Sequence, residues 1–241
     1  MRVLLPTAAR VLRQVGHDHR TIVVLVGLPC VVLTLVAWMF SGTGVLERFG
    51  PLLLGLFPIT VLFLVTSVAT LRERQSGTLE RLMAGPVHRG EVVGGYAIAF
   101  ALVGAAQALV LTAFTVLVLG MEVAGDLGGV VVVAVLDAVL GTAMGLAASA
   151  VARTEFQAVQ MMPLVLFPQL VLAGLFLPRD QMPAALEALS RAMPLTYGMQ
   201  ALQELSAGAS LADVRGAVGA VVAFIVGALV LGTLTLRRRT P

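Results

Sequence analysis

Arg72-Glu73-Arg74-Gln75-Ser76-Gly77-Thr78-Leu79-Glu80-Arg81-Leu82-Met83-Ala84-Gly85-Pro86-Val87-His88-Arg89-Gly90-Glu91 separates two long apolar stretches, one ending at Leu71 and the other starting at Val92. A connection that only turns the chain between two packed helices needs about 2–8 residues. This one is far longer, alternates acid with base, and keeps its leucines at helix-compatible spacing. The spacing predicts a short helix over 78–84, closed by Gly85 and the breaker Pro86. Pro86 then opens the approach to the next apolar stretch, with Glu91 in its first turn. Two apolar helices joined by a charged, partly helical segment on one side of a membrane is the pattern that fixes the fold class.

Composition agrees. The chain is 59% hydrophobic and 12% charged, with a mean hydropathy of +0.98, whereas a soluble domain carries about 25% charged residues. Six stretches reach the roughly 20 residues that cross a hydrocarbon core, near 21–40, 51–71, 92–119, 128–151, 156–177 and 214–236. The third exceeds what a span requires and is expected to tilt or run past the interface. The chain therefore reads as one all-α integral membrane domain over 1–241.

Every basic residue is an arginine, and their distribution sets the orientation. Arg2, Arg10, Arg13 and Arg20 precede the first span, and Arg72, Arg74, Arg81 and Arg89 lie in the 72–91 segment. Arg153 and the tail Arg237, Arg238 and Arg239 fall on the same side, leaving Arg48, Arg179, Arg191 and Arg215 opposite. Both termini and the 72–91 segment are accordingly expected in the cytoplasm. The first apolar run is too long for a signal-peptide core and lacks a small-residue cleavage site behind it. Cys30 is the sole cysteine, which rules out an intrachain disulfide and leaves a small packing residue.

Before the first span, Ala8, Val11, Leu12 and Val15 recur at helical spacing with Arg10, Arg13, Gln14 and His17 elsewhere, predicting an amphipathic interfacial helix within 1–20. Pro58 in the second span and Pro163 and Pro168 in the fifth free backbone carbonyls, either to line a pathway or simply as tolerated kinks. Gly141, Ala143, Gly145, Ala147 and Ala148 make the fourth span a close-packing helix. Outside, 178–213 is too long for a turn and too apolar for a free loop. Pro178, Pro183 and Pro194 divide it into short helices expected to dip into the outer leaflet and cap the bundle, with Tyr197 among them.

Candidate chemistry is sparse. Asp137 lies mid-span, where a charged carboxylate costs about 3 kcal/mol on insertion scales. It is either a proton or cation site, or a protonated group hydrogen-bonded to a neighbouring helix; no intramembrane cation exists to pair with it. Gln107, Gln157, Gln160 and Gln169 fit interhelical glue better than substrate ligands. Phe57, Phe63, Met161, Met162, Phe167 and Phe176 would suit an apolar cargo, with methionine adapting to varied shapes. His17-Asp18-His19 lacks the three or four placed ligands of a metal site. An intramembrane hydrolase would need a nucleophile with a buried base, and no histidine lies in a span. A proton-driven carrier using Asp137 is the rival transport reading, although no inverted pair of broken helices accompanies it.

Glu73-Arg74, Gly77-Thr78-Leu79-Glu80, Leu82, Pro86, Arg89 and Glu91 resemble the first signature of ABC-2 type transporter permeases. Ala173-Gly174, Pro178, Met182-Pro183, Pro194-Leu195-Thr196-Tyr197 and Ala201-Leu202 resemble the second. Gly94-Gly95-Tyr96 stands where members commonly carry a lysine after a glycine, and Gln203 where an arginine is often found. The resemblance covers essentially the whole chain. It implies the membrane subunit of an ATP-driven bacterial exporter in the cytoplasmic (inner) membrane, moving a hydrophobic or amphipathic drug, antibiotic or lipid-like compound outward, as in multidrug efflux. It implies a coupling helix received by two copies of a cytosolic ATPase, with Arg74, Gly77, Thr78, Leu79, Glu80, Arg81 and Leu82 at the contact, and a second permease chain, identical or paralogous. ATP and magnesium would be held by that partner: without a lysine this chain cannot form a G-x-x-x-x-G-K-[ST] loop and is not expected to be an enzyme. Membrane lipid, and no nucleic acid, completes the expected surroundings. On the same reading Phe57, Phe63, Gln107, Asp137, Met161, Met162, Phe167 and Gln169 mark the substrate pathway.

Overall fold

The computed structural model describes residues 4–76, 89–174, 177 and 179–235. Regular structure among them is helical throughout, and six helices are long and apolar enough to cross a membrane. Gly77, Thr78, Leu79, Glu80, Arg81, Leu82, Phe176 and Pro178 lie outside the described residues.

Helix α1, Leu4–His17, turns Thr7, Ala8 and Val11 inward. It can lie close on its neighbour because a Cβ at Gly95 would stand 2.8 Å from Thr7 Cβ and 2.9 Å from the Leu4 carbonyl oxygen. Asp18 ends this helix and caps the next, its Oδ1 accepting from Arg20 N at 3.1 Å and Thr21 N at 3.3 Å. The Thr21 hydroxyl and these backbone donors hold the Asp18 carboxyl below its ordinary range.

Helix α2, His19–Met39, is the first apolar span and contains a π-helical turn at Val23–Gly27. Pro29 follows it. Proline has no N–H, so the Leu25 carbonyl loses its i+4 donor. Gln107 supplies one from another helix, Nε2 to Leu25 O at 2.6 Å. This side chain therefore acts as interhelical glue.

Helix α3, Val45–Gln75, is 31 residues long, about 46 Å at 1.5 Å per residue. It outruns a hydrocarbon core of roughly 30 Å, and its last turn, Arg72 to Gln75, emerges polar. Helix α4, Arg89–Leu117, follows the segment 77–88. Helix α5, Leu127–Val151, is the central element and packs on α3 and α4. Its small residues explain how: a Cβ at Gly141 would lie 2.7 Å from Ile59 Cα, and one at Gly145 2.6 Å from the Phe63 carbonyl oxygen. Any side chain at Gly141 would have to displace α3 backbone.

Thr154 caps helix α6, Glu155–Leu172, its hydroxyl accepting from Gln157 N at 3.2 Å. Leu172 lies short of the 177 expected from hydropathy. Helix α7, Ala184–Arg191, is capped by Pro183, and helix α8, Pro194–Ser206, takes Pro194 in its first turn, where a missing N–H costs nothing. Leu195, Met199, Leu202 and Leu205 of α8 are fully buried, so this helix sits within the bundle against α5, α3 and the last span, α9, Arg215–Thr235. Helices α3 and α5 are mostly enclosed, while α2, α6 and α9 expose most of their apolar surface.

A candidate coupling clamp at the end of the second span

Successive residues on a helix project about 100° apart, so the four polar residues that close α3 reach in different directions. Glu73 faces α1 and α4. Arg10 Nη1 donates to its Oε1 at 2.9 Å and Nη2 to its Oε2 at 2.7 Å, a bidentate pairing that adds geometric specificity. Tyr96 joins from α4: its hydroxyl accepts from Arg10 Nη2 at 2.8 Å and donates to Glu73 Oε2. The Arg10 guanidinium also lies 6.0 Å from the Tyr96 ring centroid. The hydrogen bond to Glu73 raises the Arg10 pKa further above its ordinary value.

The other three residues face the turn between α5 and α6. Arg72 pairs with Glu155, Nε to Oε1 and Nη2 to Oε2, both at 2.8 Å. Arg74 donates to the Ser149 carbonyl, and Gln75 Nε2 donates to the Arg153 carbonyl at 3.0 Å. These carbonyls belong to the C-terminal turn of α5 and its exit, where helices leave acceptors unfilled. Arg72 and Glu155 are exposed, and such a pair contributes about 0–1 kcal/mol; it fixes position more than it stabilises. One helical turn thus fastens α1, α4 and the α5–α6 turn immediately before residue 77.

Of the residues expected to contact an ATPase, Arg74 is the one described, and it is engaged within this chain. The residues proposed for a substrate pathway differ in burial. Phe63, Gln107, Asp137 and Gln169 are buried, Phe57, Met161 and Met162 are half-buried, and Phe167 is exposed. Gln169 ties α6 to α8, donating to Val165 O at 3.0 Å and accepting from Leu195 N at 3.3 Å. Asp137 is sealed between α3 and α8: a Cβ at Gly55 would stand 2.7 Å from its Oδ2, and Gly198 abuts it from α8. A hydrogen bond to a neighbouring helix was one expectation for this carboxyl. Neither oxygen has a partner among the described residues.

At the opposite end of the bundle, Tyr197 donates to the Arg191 carbonyl at 2.7 Å and Arg179 Nη1 to Gln200 Oε1 at 2.8 Å. Tyr197 thus ties α7 to α8, and Pro183 and Pro194 begin those helices. Among the described residues no cluster of three metal-ligating side chains occurs.

Sequence reasoning missed Arg10, Glu73 and Tyr96 as a unit. Arg10 reads as part of a polar helix face and Tyr96 as an apolar-span residue. The one available signal was an acid, Glu73, placed two residues beyond the expected end of a span and flanked by Arg72 and Arg74.

Residues 7–205 match the model of the ABC-2 type transporter family. The probable multidrug ABC transporter permease YbhS of Escherichia coli K12 is 28% identical over 143 residues, 59% of this chain and 38% of that protein. The linearmycin resistance permease protein LnrN of Bacillus subtilis is 27% identical over 168 residues, 69% of this chain and 43% of that protein. ABC transporter G family member 20 of Dictyostelium discoideum is 28% identical over 141 residues, 58% of this chain and 19% of that protein. The chain therefore spans less than half the length of these relatives.

Proposed function

From the premise that the chain belongs to the ABC-2 type transporter family, we propose that it is the membrane permease of an ABC exporter in a bacterial cytoplasmic membrane. It moves a hydrophobic or amphipathic compound outward. The names of YbhS and LnrN, a probable multidrug permease and a linearmycin resistance permease, support a drug-, antibiotic- or lipid-like cargo. ATP is hydrolysed on a separate cytosolic subunit, present in two copies, since no lysine is available in these residues for a phosphate-binding loop. Arginine counts support cytoplasmic termini and a cytosolic 72–91 segment, with α1 in the interface. The largely uncovered α2, α6 and α9 leave faces for membrane lipid and for a second permease chain, identical or paralogous.

The observation that carries the reading is the clamp. In this mechanism the ATPase grips 77–88, with Glu80 and its neighbours at the contact. Movement of the grip passes through Glu73, Arg72 and Arg74 into α1, α4 and the α5–α6 turn. The bundle repacks and cargo leaves past α7 and α8. Asp137, buried between α3 and α8, serves in this reading as a packing group and not as a cargo ligand.

The test is gentle purification from the native membrane, intact-complex mass spectrometry and an ATPase assay. A two-plus-two complex whose efflux stops when 78–84 is deleted, with membrane insertion intact, is expected. A chain recovered alone with no ATP hydrolysis, or normal efflux by the deletion variant, overturns the proposal.

A further inference from the structure

Thr70 stands on α3 one helical turn before Glu73 and is 4% exposed. A helical threonine can donate its hydroxyl to the carbonyl four residues earlier, as Thr115 and Thr142 do here at 2.8 and 3.1 Å. Thr70 makes no such bond: its Oγ1 has no hydrogen-bond partner among the described residues. It lines a small cavity between α3, α4, α5 and α9, with about 10 Å³ open to the centre of a water molecule. That is close to the room one water needs. Val92, Val93 and Leu146 wall the space with buried apolar surface. Tyr96 lines it too, but its hydroxyl is committed to Arg10 and Glu73. Ser149, 2% exposed, supplies the second polar group. Its hydroxyl gives its proton to the Leu146 carbonyl at 2.7 Å and keeps its lone pairs for a donor.

A hydroxyl that must donate and a hydroxyl that can accept, sharing a water-sized space, select a small neutral molecule able to do both. We propose that this cavity binds one structural water, which accepts from Thr70 Oγ1 and donates to Ser149 Oγ. Among the described residues no charged side chain is on the lining, so an ion there has no counter-charge. A larger solute does not fit. Two bonds are the lower bound for a buried water, and they relieve the one hydroxyl of the cavity that the protein leaves unpaired. The water joins α3 to α5 just inside the clamp, where Arg74 fastens the same two helices through the Ser149 carbonyl. This site is independent of the clamp's role in ATP coupling, and its test uses no ATPase.

Threonine and valine have nearly the same shape, so Thr70→Val reads the hydroxyl alone. Removing an unpaired buried hydroxyl should stabilise the chain, whereas removing one that holds a water breaks a bridge and should destabilise it. In melts of the purified full chain in detergent, Thr70→Val is expected to lower the melting temperature by about 2–4 °C, the shift of one hydrogen bond in a chain of this size. Ser149→Ala should cost less in the Thr70→Val background than alone, because the water is already gone. A crystal structure of the unaltered chain should show one ordered solvent peak within hydrogen-bond distance of both hydroxyls, lost in Thr70→Val. A rise in melting temperature on Thr70→Val, or the lack of a solvent peak in the unaltered chain, overturns the proposal. So do additive losses in the double variant, which would mean that Thr70 bonds the Thr66 carbonyl instead.

Discussion

At the scale of single residues, Glu73 and Gln107 each satisfy groups that nothing adjacent in sequence can reach. Glu73→Ala leaves the Arg10 guanidinium and the Tyr96 hydroxyl without their acceptor, a loss of about 2 kcal/mol. It is expected to lower the melting temperature of the purified chain in detergent. The change should be non-additive with Arg10→Ala, because both remove the same bond; additive losses would show that the pair does not interact. Gln107→Leu strands the Leu25 carbonyl at a cost of about 1 kcal/mol. Adding Pro29→Ala returns a backbone donor to that carbonyl, so the double variant should melt above Gln107→Leu alone. Asp137 gives the opposite expectation. It is fully buried against Gly55 and Gly198, so Asp137→Asn should leave the pH profile of efflux unchanged, and a flattened profile would revive a proton-coupled carrier.

At the scale of elements, α5 is held against α3 by the absence of side chains. Gly141→Val places a methyl-bearing carbon where Ile59 backbone already stands, and α5 is enclosed on several sides and cannot retreat. This variant is expected to yield no folded, monodisperse protein. Gly216→Val, whose Cβ would meet nothing within 4 Å, should purify normally. Helices of this kind were legible from hydropathy because one long apolar run corresponds to one span. The small-residue stripe of α5 was legible as packing, although its partner was not. What stayed hidden has a common cause. The partner of Gln107, the Leu25 carbonyl, lies 82 positions away. The clamp joins Arg10 to Glu73 across 63 positions and Tyr96 to Glu73 across 23. Periodicity reports which face of a helix is apolar, not which helix that face meets. The early end of α6 at Leu172 was hidden because Ala173 and Gly174 leave the helix while the chain stays apolar.

At the scale of the whole molecule, α1 and the near ends of α3, α4, α5 and α6 converge on one turn, whereas the opposite ends are organised separately around Tyr197 and the buried α8. Deleting 4–17 cuts one of these links without touching segment 77–88. In the assembled transporter it is expected to preserve partner binding and ATP hydrolysis while efflux falls, as judged by paired ATPase and transport assays on the same vesicles. Loss of both activities together would mean that α1 is needed for assembly instead. The contact between Glu73 and Tyr96 has a further mechanical meaning. Glu73 stands just before the segment 77–88 and Tyr96 just after it, so the two stems of that segment are pinned to each other. On the proposed reading, a pull on either stem would be shared by α3 and α4 as one lever, with α1 carried along through Arg10.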